Sequence, residues 1–323
     1  MNRKLIAVII FSLLVVAGVF FAKDIFKGGR DMTEHTFETR TWCIGRFLID
    51  VPVQFEIRSA DSRFDGVRIA ALGPGAANDL ERIVQHRIRE LQAGVEEGGA
   101  VRKLRDHHTE NSIDIVTYTA VIEIDGYVDE FYDAEAYFLK GNQIFKTTRL
   151  IDTQKETSDH AALIRVSQAV RPRANDEIPT GVGACIENAF VALPPTNESS
   201  NTNFRAKDAE EFSLSIKSLH KFNSPKALPI KPYAKFPYER RVVAGYNGYE
   251  HYAVYFRQAV GETSYLHHKY IGGKSTPVGG NGLEIKVDLS KYMGEPNDPP
   301  YDEATSRAVW NGVLNSIRER AIK

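Results

Sequence analysis

The chain alternates short apolar segments with turn residues over most of its length, which is the pattern of strands in antiparallel sheets. In the first half, strands are predicted at residues 55–58, 67–72, 113–124, 131–139 and 143–150. In the second half, strands are predicted at residues 212–219, 241–246, 249–257, 265–271 and 283–289. Asn247-Gly248 is predicted to be the hairpin turn between two of these strands.

Three segments show helical periodicity instead. The first follows the turn at residues 73–75 and places apolar residues on one helix face, namely Leu80, Ile83, Val84, Ile88 and Leu91. Two further amphipathic helices are predicted at residues 158–170 and 302–322. The pattern predicts the α+β fold class, in which each half of the chain forms a mainly antiparallel sheet with its helices packed on one face.

Two distant segments of the chain share one sequence pattern. Residues 43–52 align with residues 185–194, cysteine on cysteine and proline on proline, at a constant offset of 142 residues. A similar order of predicted strands and a closing helix follows each segment. We interpret this pattern as an internal duplication, with a first domain at residues 41–174 and a second at residues 175–323.

The N-terminus has a different character. Residues 5–22 form an apolar run, diluted only by Ser12 and Gly18, that is about long enough to cross a bilayer as a helix. Residues 1–22 are therefore predicted to be an uncleaved membrane anchor, with a cleaved signal segment as the alternative. Residues 23–40 are predicted to be a linker. A short tail before the apolar run predicts that the body lies outside the cytoplasm, which is the periplasm if the source is a Gram-negative bacterium.

Charge and motifs narrow the functional classes. The 323 residues carry a formal net charge of −1, which does not favour a nucleic-acid partner. The sequence has neither the G-x-S-x-G elbow of serine hydrolases nor the H-E-x-x-H zinc motif. The adjacent pairs His107-His108 and His267-His268 are not expected to share a metal ion, because neighbours on a strand point to opposite faces. Both pairs are interpreted as solvated surface histidines. We predict no catalytic residues, no metal site and no cofactor.

The two cysteines and one loop are the remaining candidates for a structural or partner-binding role. Cys43 and Cys185 either form a disulfide in an oxidising compartment or are two small buried residues. The segment at residues 220–240 combines prolines, cations and aromatic residues, and it is either a partner-binding loop or a proline-stiffened connection. The residues predicted to contact a partner are Tyr233, Lys235, Phe236 and Tyr238.

Residues 41–52 and 181–194 resemble the immunity proteins of type VI secretion lipase effectors. The resemblance implies two α/β domains arranged as a clamp. It also implies a cognate lipase of the α/β-hydrolase type as the partner, bound in the periplasm and kept from membrane lipid. The protein would then be a binding protein and not an enzyme. The alternative is a membrane-anchored periplasmic enzyme or an envelope scaffold of unrecognised type.

Overall fold

Nineteen strands and three helices make up the part of the chain that the structure describes. The structure is a computed structural model that describes residues 37–124, 127–222, 238–257, 263–276, 279–292 and 303–321. The predicted anchor at residues 5–22 lies outside these residues. None of the helices within the described ranges is both long and apolar enough to cross a membrane.

The first half begins with a hairpin and ends with a helix and a short strand. Its elements are β1 (Thr39–Ile44), β2 (Phe47–Pro52), β3 (Phe55–Phe64), β4 (Val67–Pro74), α1 (Ala77–Ala93), β5 (Val95–Glu97), β6 (Ala100–Glu110), β7 (Ile113–Ile124), β8 (Tyr127–Lys140), β9 (Gln143–Ile151), α2 (Glu156–Ala169) and β10 (Val170–Pro172).

The second half has the same order of elements, except that its described residues include no counterpart of α1 or β5. Its elements are β11 (Ala184–Ile186), β12 (Ala189–Val191), β13 (Glu198–Ala206), β14 (Ala209–Phe222), β15 (Tyr238–Val243), β16 (Tyr246–Arg257), β17 (Thr263–Thr276), β18 (Gly279–Tyr292), α3 (Glu303–Ser316) and β19 (Arg318–Glu319).

Thirteen strands from both halves form one continuous antiparallel sheet. Its order is β15-β16-β17-β18-β14-β13-β3-β4-β9-β8-β7-β6-β5. From the central pair β3–β13 outward, the two halves have matching strand orders, apart from the additional edge strand β5. The prediction of a sheet-rich, mainly antiparallel α+β fold is confirmed. The domain limits at 174 and 175 stay a prediction from the sequence.

The first hairpin of each half packs with the other half. The β1–β2 hairpin pairs with β19, and the β11–β12 hairpin pairs with β10, so each hairpin completes a small sheet with the closing strand of the other half. The apolar cores follow the same exchange. Ile49 and Val51 belong to a core cluster with Trp310 of α3, whereas Ala189 and Val191 belong to a cluster with residues of β4, β7 and α2.

The predicted placement of both helices of a half on one sheet face is wrong for the first half. Val116 of β7 packs in one cluster with α1, whereas its neighbour Ile115 packs in another cluster with α2. Because successive strand residues point to opposite faces, α1 and α2 cover opposite faces of the sheet. Burial of both faces explains why residues 115–118 are all inaccessible or nearly so.

Two local predictions in the second half are also corrected. The β15–β16 turn is Ala244-Gly245, and both residues have positive φ, at 51° and 79°. Asn247 and Gly248 instead lie inside β16 and pair with Gly273 and Gly272 of β17. Glycine is required at position 248 because a Cβ there would lie 2.7 Å from the Tyr270 ring. The last helix ends at Ser316, because the residues of β19 pair with β2.

Candidate partner-binding surface

A covalent and polar junction joins the two exchanged hairpins. Cys43 and Cys185 are joined by a disulfide, with their Cα atoms 5.6 Å apart. Beside it, the backbone N–H of Gly45 donates to the Cys185 carbonyl at 2.8 Å, and the Cys185 N–H donates back at 2.7 Å. Both cysteines are at most 3% exposed. The junction therefore constrains where the two hairpins lie relative to each other.

Two nearly buried arginines add to this junction. Arg46 makes a bidentate ion pair with Glu198 and donates to the Gly183 carbonyl at 3.0 Å. Arg320 donates to the carbonyls of Pro179, Gly181 and Gly183. One arginine therefore satisfies three backbone acceptors of the loop before β11. Burial, together with the charge of Arg46, lowers the pKa of Arg320 below its usual value. These contacts leave the guanidinium groups with structural roles.

The duplication allows equivalent positions in the two halves to be compared directly. Asn111-Ser112 turns β6 into β7 and Ala244-Gly245 turns β15 into β16, and all four residues have positive φ. Counting from these turns equates residues 108 and 117 with residues 241 and 250. The helices α2 and α3 both begin with glutamate, which equates residues 160, 163 and 168 with residues 307, 310 and 315.

In the second half, the position between β15, β16 and α3 is filled by side chains. Trp310 is 1% exposed, stacks on His268 with ring centroids 5.4 Å apart, and donates its indole N–H to Glu250. His268 is itself only 2% exposed, so its interpretation as a surface histidine is wrong. Arg241 bridges Glu250 and Asn315. An aromatic ring, a carboxylate and a guanidinium thus close the space between sheet and helix.

In the first half, a groove of about 910 Å³ lies between β6, β7 and α2. Leu163, Thr117 and His108 stand where the second half has Trp310, Glu250 and Arg241. The groove is lined by Arg105, Asp106, His108, Glu110, Asn111, Thr117, Glu156, Thr157, His160, Ala161, Ile164, Arg165 and Gln168. Leu163 is fully buried and does not line the groove, so the groove does not open onto the position that Trp310 fills in the second half.

Charged groups of both signs surround the groove. Arg105 pairs with Glu156 at 3.2 Å and lies over the Tyr132 ring, 4.7 Å from its centroid. His108 and Asp106 lie 3.0 Å apart. Burial lowers the pKa of His160, against the opposing effect of Glu156, so this ring is neutral near pH 7. The groove therefore offers carboxylate acceptors, cations and a neutral imidazole to a partner.

A second exposed surface lies at the end of the β7–β8 hairpin. The pairing of β8 with β9 ends at Tyr132, and the remaining residues of β8 pair only with β7. Tyr127 and Val128 in this projecting part are 82% and 67% exposed. The nearby side chains Asp129 and Glu130 are acidic and exposed. This part of the hairpin, residues 127–131, is called the arm below.

Buried polar groups under α1 are satisfied by one another. Glu135 accepts from Arg87 at 2.9 Å, from Tyr137 at 2.6 Å and from Tyr118 at 3.3 Å. Burial alone would raise the pKa of Glu135, but Lys146 and the hydrogen bonds from Arg87 and Tyr137 lower it below the usual value. A fully paired carboxylate of this kind holds α1 to the sheet.

The sequence-predicted contact residues fall in two groups. Tyr233, Lys235 and Phe236 lie outside the described residues. Tyr238 is the first residue of β15, and its half-buried ring lies against His251, with centroids 5.1 Å apart. The groove was not predicted, because its lining residues are separated along the chain and come together only through strand pairing and helix packing. No cluster of His, Cys, Asp and Glu suited to a metal ion occurs in the described ranges.

Solved structures with the same fold are found at low sequence identity. The apo structure of the immunity protein TplEi of T6SS from Pseudomonas aeruginosa matches with a TM-score of 0.64 and 16% identity, over 91% of this chain and 100% of that chain. A chain of the Tle4–Tli4 complex matches with a TM-score of 0.65 and 17% identity, over 88% of this chain and 98% of that chain. No curated protein sequence matches significantly.

Two family models match the sequence and together span the body of the chain. The Tle cognate immunity protein 4 N-terminal domain matches residues 40–178, and the C-terminal domain of the same family matches residues 177–322. These two matches agree with the resemblance seen in the sequence, and the family is one of immunity proteins and not of enzymes. The chain belongs to the Tle cognate immunity protein 4 family.

Proposed function

We propose that this protein binds a type VI secretion lipase effector and neutralises it. The observation that carries the proposal is the match of both family domains, in order, over residues 40–322. The fold it shares with a chain of the Tle4–Tli4 complex supports a protein partner. Inhibition follows if the bound form of the lipase is one that cannot engage a bilayer, because a ligand favours the state it binds more tightly.

The exchanged hairpins give this proposal a physical basis. A stable protein–protein interface buries on the order of 1,200–2,000 Å² in total, which requires an extended and preorganised surface. The disulfide and the Arg46–Glu198 ion pair connect the halves on either side of the β3–β13 pair. Two halves fixed in this way can contact one partner together, without the entropic cost of ordering them on binding. This arrangement supports the clamp that the family resemblance implies.

The location and the anchor are part of the same proposal. The apolar run at residues 5–22 supports attachment to the inner membrane, with the body in the periplasm. An immunity protein at this location can bind the lipase before the lipase reaches membrane lipid. The disulfide is consistent with an oxidising compartment, because such bonds persist outside the cytoplasm.

The partner contacts proposed for this function come from two surfaces. Tyr233, Lys235, Phe236 and Tyr238 supply aromatic and cationic groups typical of interface anchors. The arm adds Tyr127, whose exposed ring can enter a pocket on the partner. Because Asp129 and Glu130 flank it, the arm favours a partner pocket that has a basic rim.

Co-purification and an activity assay test the proposal together. The full chain in a mild detergent is mixed with a type VI secretion lipase effector, the first choice being one whose gene neighbours that of this protein, and phospholipid hydrolysis is followed on anionic vesicles. We expect a stable complex and loss of hydrolysis at about one equivalent. A second lipase of the same fold, from an unrelated gene, serves as the control and is expected to stay active. Full lipase activity in molar excess of this protein would contradict the proposed function.

A further inference from the structure

We propose that the open edge of β8 in the arm binds an extended segment of the effector as an added antiparallel strand, and that this segment carries lysine or arginine. The inference rests on the proposed function and specifies how one surface contacts the partner. Its basis is a comparison of the arm with the equivalent strand edge of the second half, where the chain itself supplies the strand.

The two strands that form the arm have counterparts of the same length in the second half. β7 and β16 both have 12 residues, and β8 and β17 both have 14 residues. The next strands differ, because β9 has 9 residues and β18 has 14. The end of β18, residues 288–292, pairs with residues 263–267 of β17, the counterparts of the arm. Among the described residues, the first half has no such pairing, since β9 ends at Ile151, opposite Tyr132.

β9 ends early because the chain turns directly into α2. The Asp159 carboxylate of α2 accepts from the backbone N–H of Asp152 at 2.9 Å and pairs with Arg149 of β9. The backbone N–H of Lys155 donates to the Asp152 carbonyl at 2.7 Å. These contacts hold Asp152 in the turn, so the chain does not continue along the arm.

The backbone of the arm is therefore a surface to which an extended chain can bind. Among the described residues, the backbone of residues 127–131 pairs only with β7. A strand of an antiparallel sheet directs about half of its N–H and C=O groups to each neighbour, so the outer groups of the arm have no backbone partner within the described ranges. Such an edge pairs with an added strand through main-chain hydrogen bonds. The arm contains no proline and no bulge that would block this pairing.

The side chains of the arm favour a basic segment. Asp129 and Glu130 are exposed, and neither forms an ion pair with another described residue. Because adjacent strand residues point to opposite faces, an added strand meets one carboxylate on each face of the sheet. Opposite charges on neighbouring strands stabilise the pairing, and like charges weaken it. Lysine or arginine in the added strand is the complement of these two groups.

The same charges oppose pairing of two copies of this chain through their arms. Antiparallel pairing of one arm with another places Asp129 opposite either Asp129 or Glu130 of the second copy. Both arrangements bring two acidic side chains together, which destabilises a strand pair. Under the proposed function, the remaining occupant is the effector.

Amide hydrogen exchange of the full chain in a mild detergent tests the added strand directly. Exchange is followed at single-residue resolution, with and without a type VI secretion lipase effector that the chain inhibits. We expect alternate amides of residues 127–131 to exchange rapidly in the free chain and at least about tenfold more slowly in the complex, because only the outward N–H groups gain a hydrogen bond.

Three other outcomes of this measurement would overturn the proposal. If the lipase is inhibited but these amides exchange as in the free chain, the strand proposal is wrong and the proposed function stands. If the amides are already slow in the free chain at every concentration, the chain covers its own edge. If they become slow only as the concentration of this chain rises, a second copy is the occupant.

Charge reversal tests the basic character of the segment. Glu130→Lys replaces an attractive cross-strand pair with a repulsive one, so it should weaken affinity for the lipase, measured by titration, by about tenfold. The matched control is Glu96→Lys, the same change at an exposed residue of the edge strand β5, and it should change affinity by less than about twofold. Because both residues are exposed, neither variant should shift the unfolding midpoint. An unchanged affinity for Glu130→Lys would contradict a basic segment at the arm.

A peptide tests the edge if no lipase complex forms and the proposed function fails. The probe is acetyl-Thr-Lys-Val-Lys-Val-Lys-Thr-amide, and the control is the same peptide with glutamate in place of each lysine. Selective shifts of the NMR amide signals of residues 127–131 with the lysine peptide would support a strand-binding edge. Equal responses to the two peptides, or no response to either, would overturn it.

Discussion

Removing the disulfide between the exchanged hairpins should destabilise the chain strongly without changing its structure. The double variant Cys43→Ala/Cys185→Ala opens a covalent loop that spans a sequence separation of 142 residues. In the chain-entropy description, a loop of this length constrains the unfolded chain by about 5 kcal/mol, and measured native disulfides contribute about 2–5 kcal/mol. We therefore expect the free energy of unfolding to fall by about 2–5 kcal/mol.

The native contacts around the junction should survive this change. The backbone hydrogen bonds between Gly45 and residue 185 do not depend on sulfur, and Ile44 and Ile186 remain buried in their respective cores. Alanine also avoids placing a polar hydroxyl in a site where both cysteines are at most 3% exposed. The loss should consequently come mainly from the unfolded state, so the far-UV circular dichroism of the native protein should not change.

Urea titration of the full chain in a mild detergent measures the effect. The unsubstituted protein is titrated with and without dithiothreitol, and the double alanine variant is titrated under the same two conditions. Reductant should destabilise the unsubstituted protein about as much as the double substitution does, and it should leave the variant unaffected. A loss below about 1 kcal/mol in both comparisons would refute the loop-closure reasoning.

Three shorter predictions address other features. Arg46→Ala should lower the free energy of unfolding, measured by urea titration, by about 3–5 kcal/mol. The reason is that Glu198, which is 8% exposed, loses its bidentate partner. A loss below about 1 kcal/mol would contradict this prediction. Burial, with a smaller effect of Arg307, lowers the pKa of His268 to about 4. The folded protein therefore favours the neutral ring. The stability gained from the neutral ring is complete above about pH 6.5, the pKa in the unfolded chain, and is lost as the pH falls towards 4. His268→Gln should therefore flatten the decrease of stability over this pH range, and an unchanged profile would show that another group causes it. Tyr127→Ser should leave the unfolding midpoint unchanged, because the ring is 82% exposed. If the arm contacts the lipase, the same change should weaken lipase binding by about 30-fold. An unchanged affinity would show that the arm is not part of the interface.

The sequence was sufficient for the repeated unit and most of its strands. Residues 113–124 were predicted as a strand and form β7. The apolar face of the first predicted helix is likewise the one that packs on the sheet, with Val84, Ile88 and Leu91 buried. These elements are determined by local periodicity, which a single sequence shows directly. The alignment of residues 43–52 with residues 185–194 also found the two equivalent hairpins.

The arrangement of those elements was not predictable in the same way. A hairpin sequence determines its own pairing, but the strands that complete the small sheets, β10 and β19, are only three and two residues long. No periodicity can be read from so short a segment. The turn prediction at Asn247-Gly248 failed for a related reason, since Gly248 is needed under Tyr270 and not for a turn. Tertiary packing determines both features.

The groove was beyond sequence reasoning for a different physical reason. A groove is a space, and the sequence shows only which side chains are present. The lining residues come from β6, β7 and α2, and only the pairing of the strands and the packing of the helix bring them together.

The exchange of hairpins also has a consequence for the history and synthesis of the chain. In this structure the first hairpin of each unit pairs with the closing strand of the other unit. The two-unit chain therefore has the contact pattern of a symmetric, segment-swapped dimer whose two subunits have been fused. During synthesis, β1 and β2 are made first, but β19, the strand with which β2 pairs, is made last. The first half consequently begins folding with a hairpin that must wait for the end of the chain.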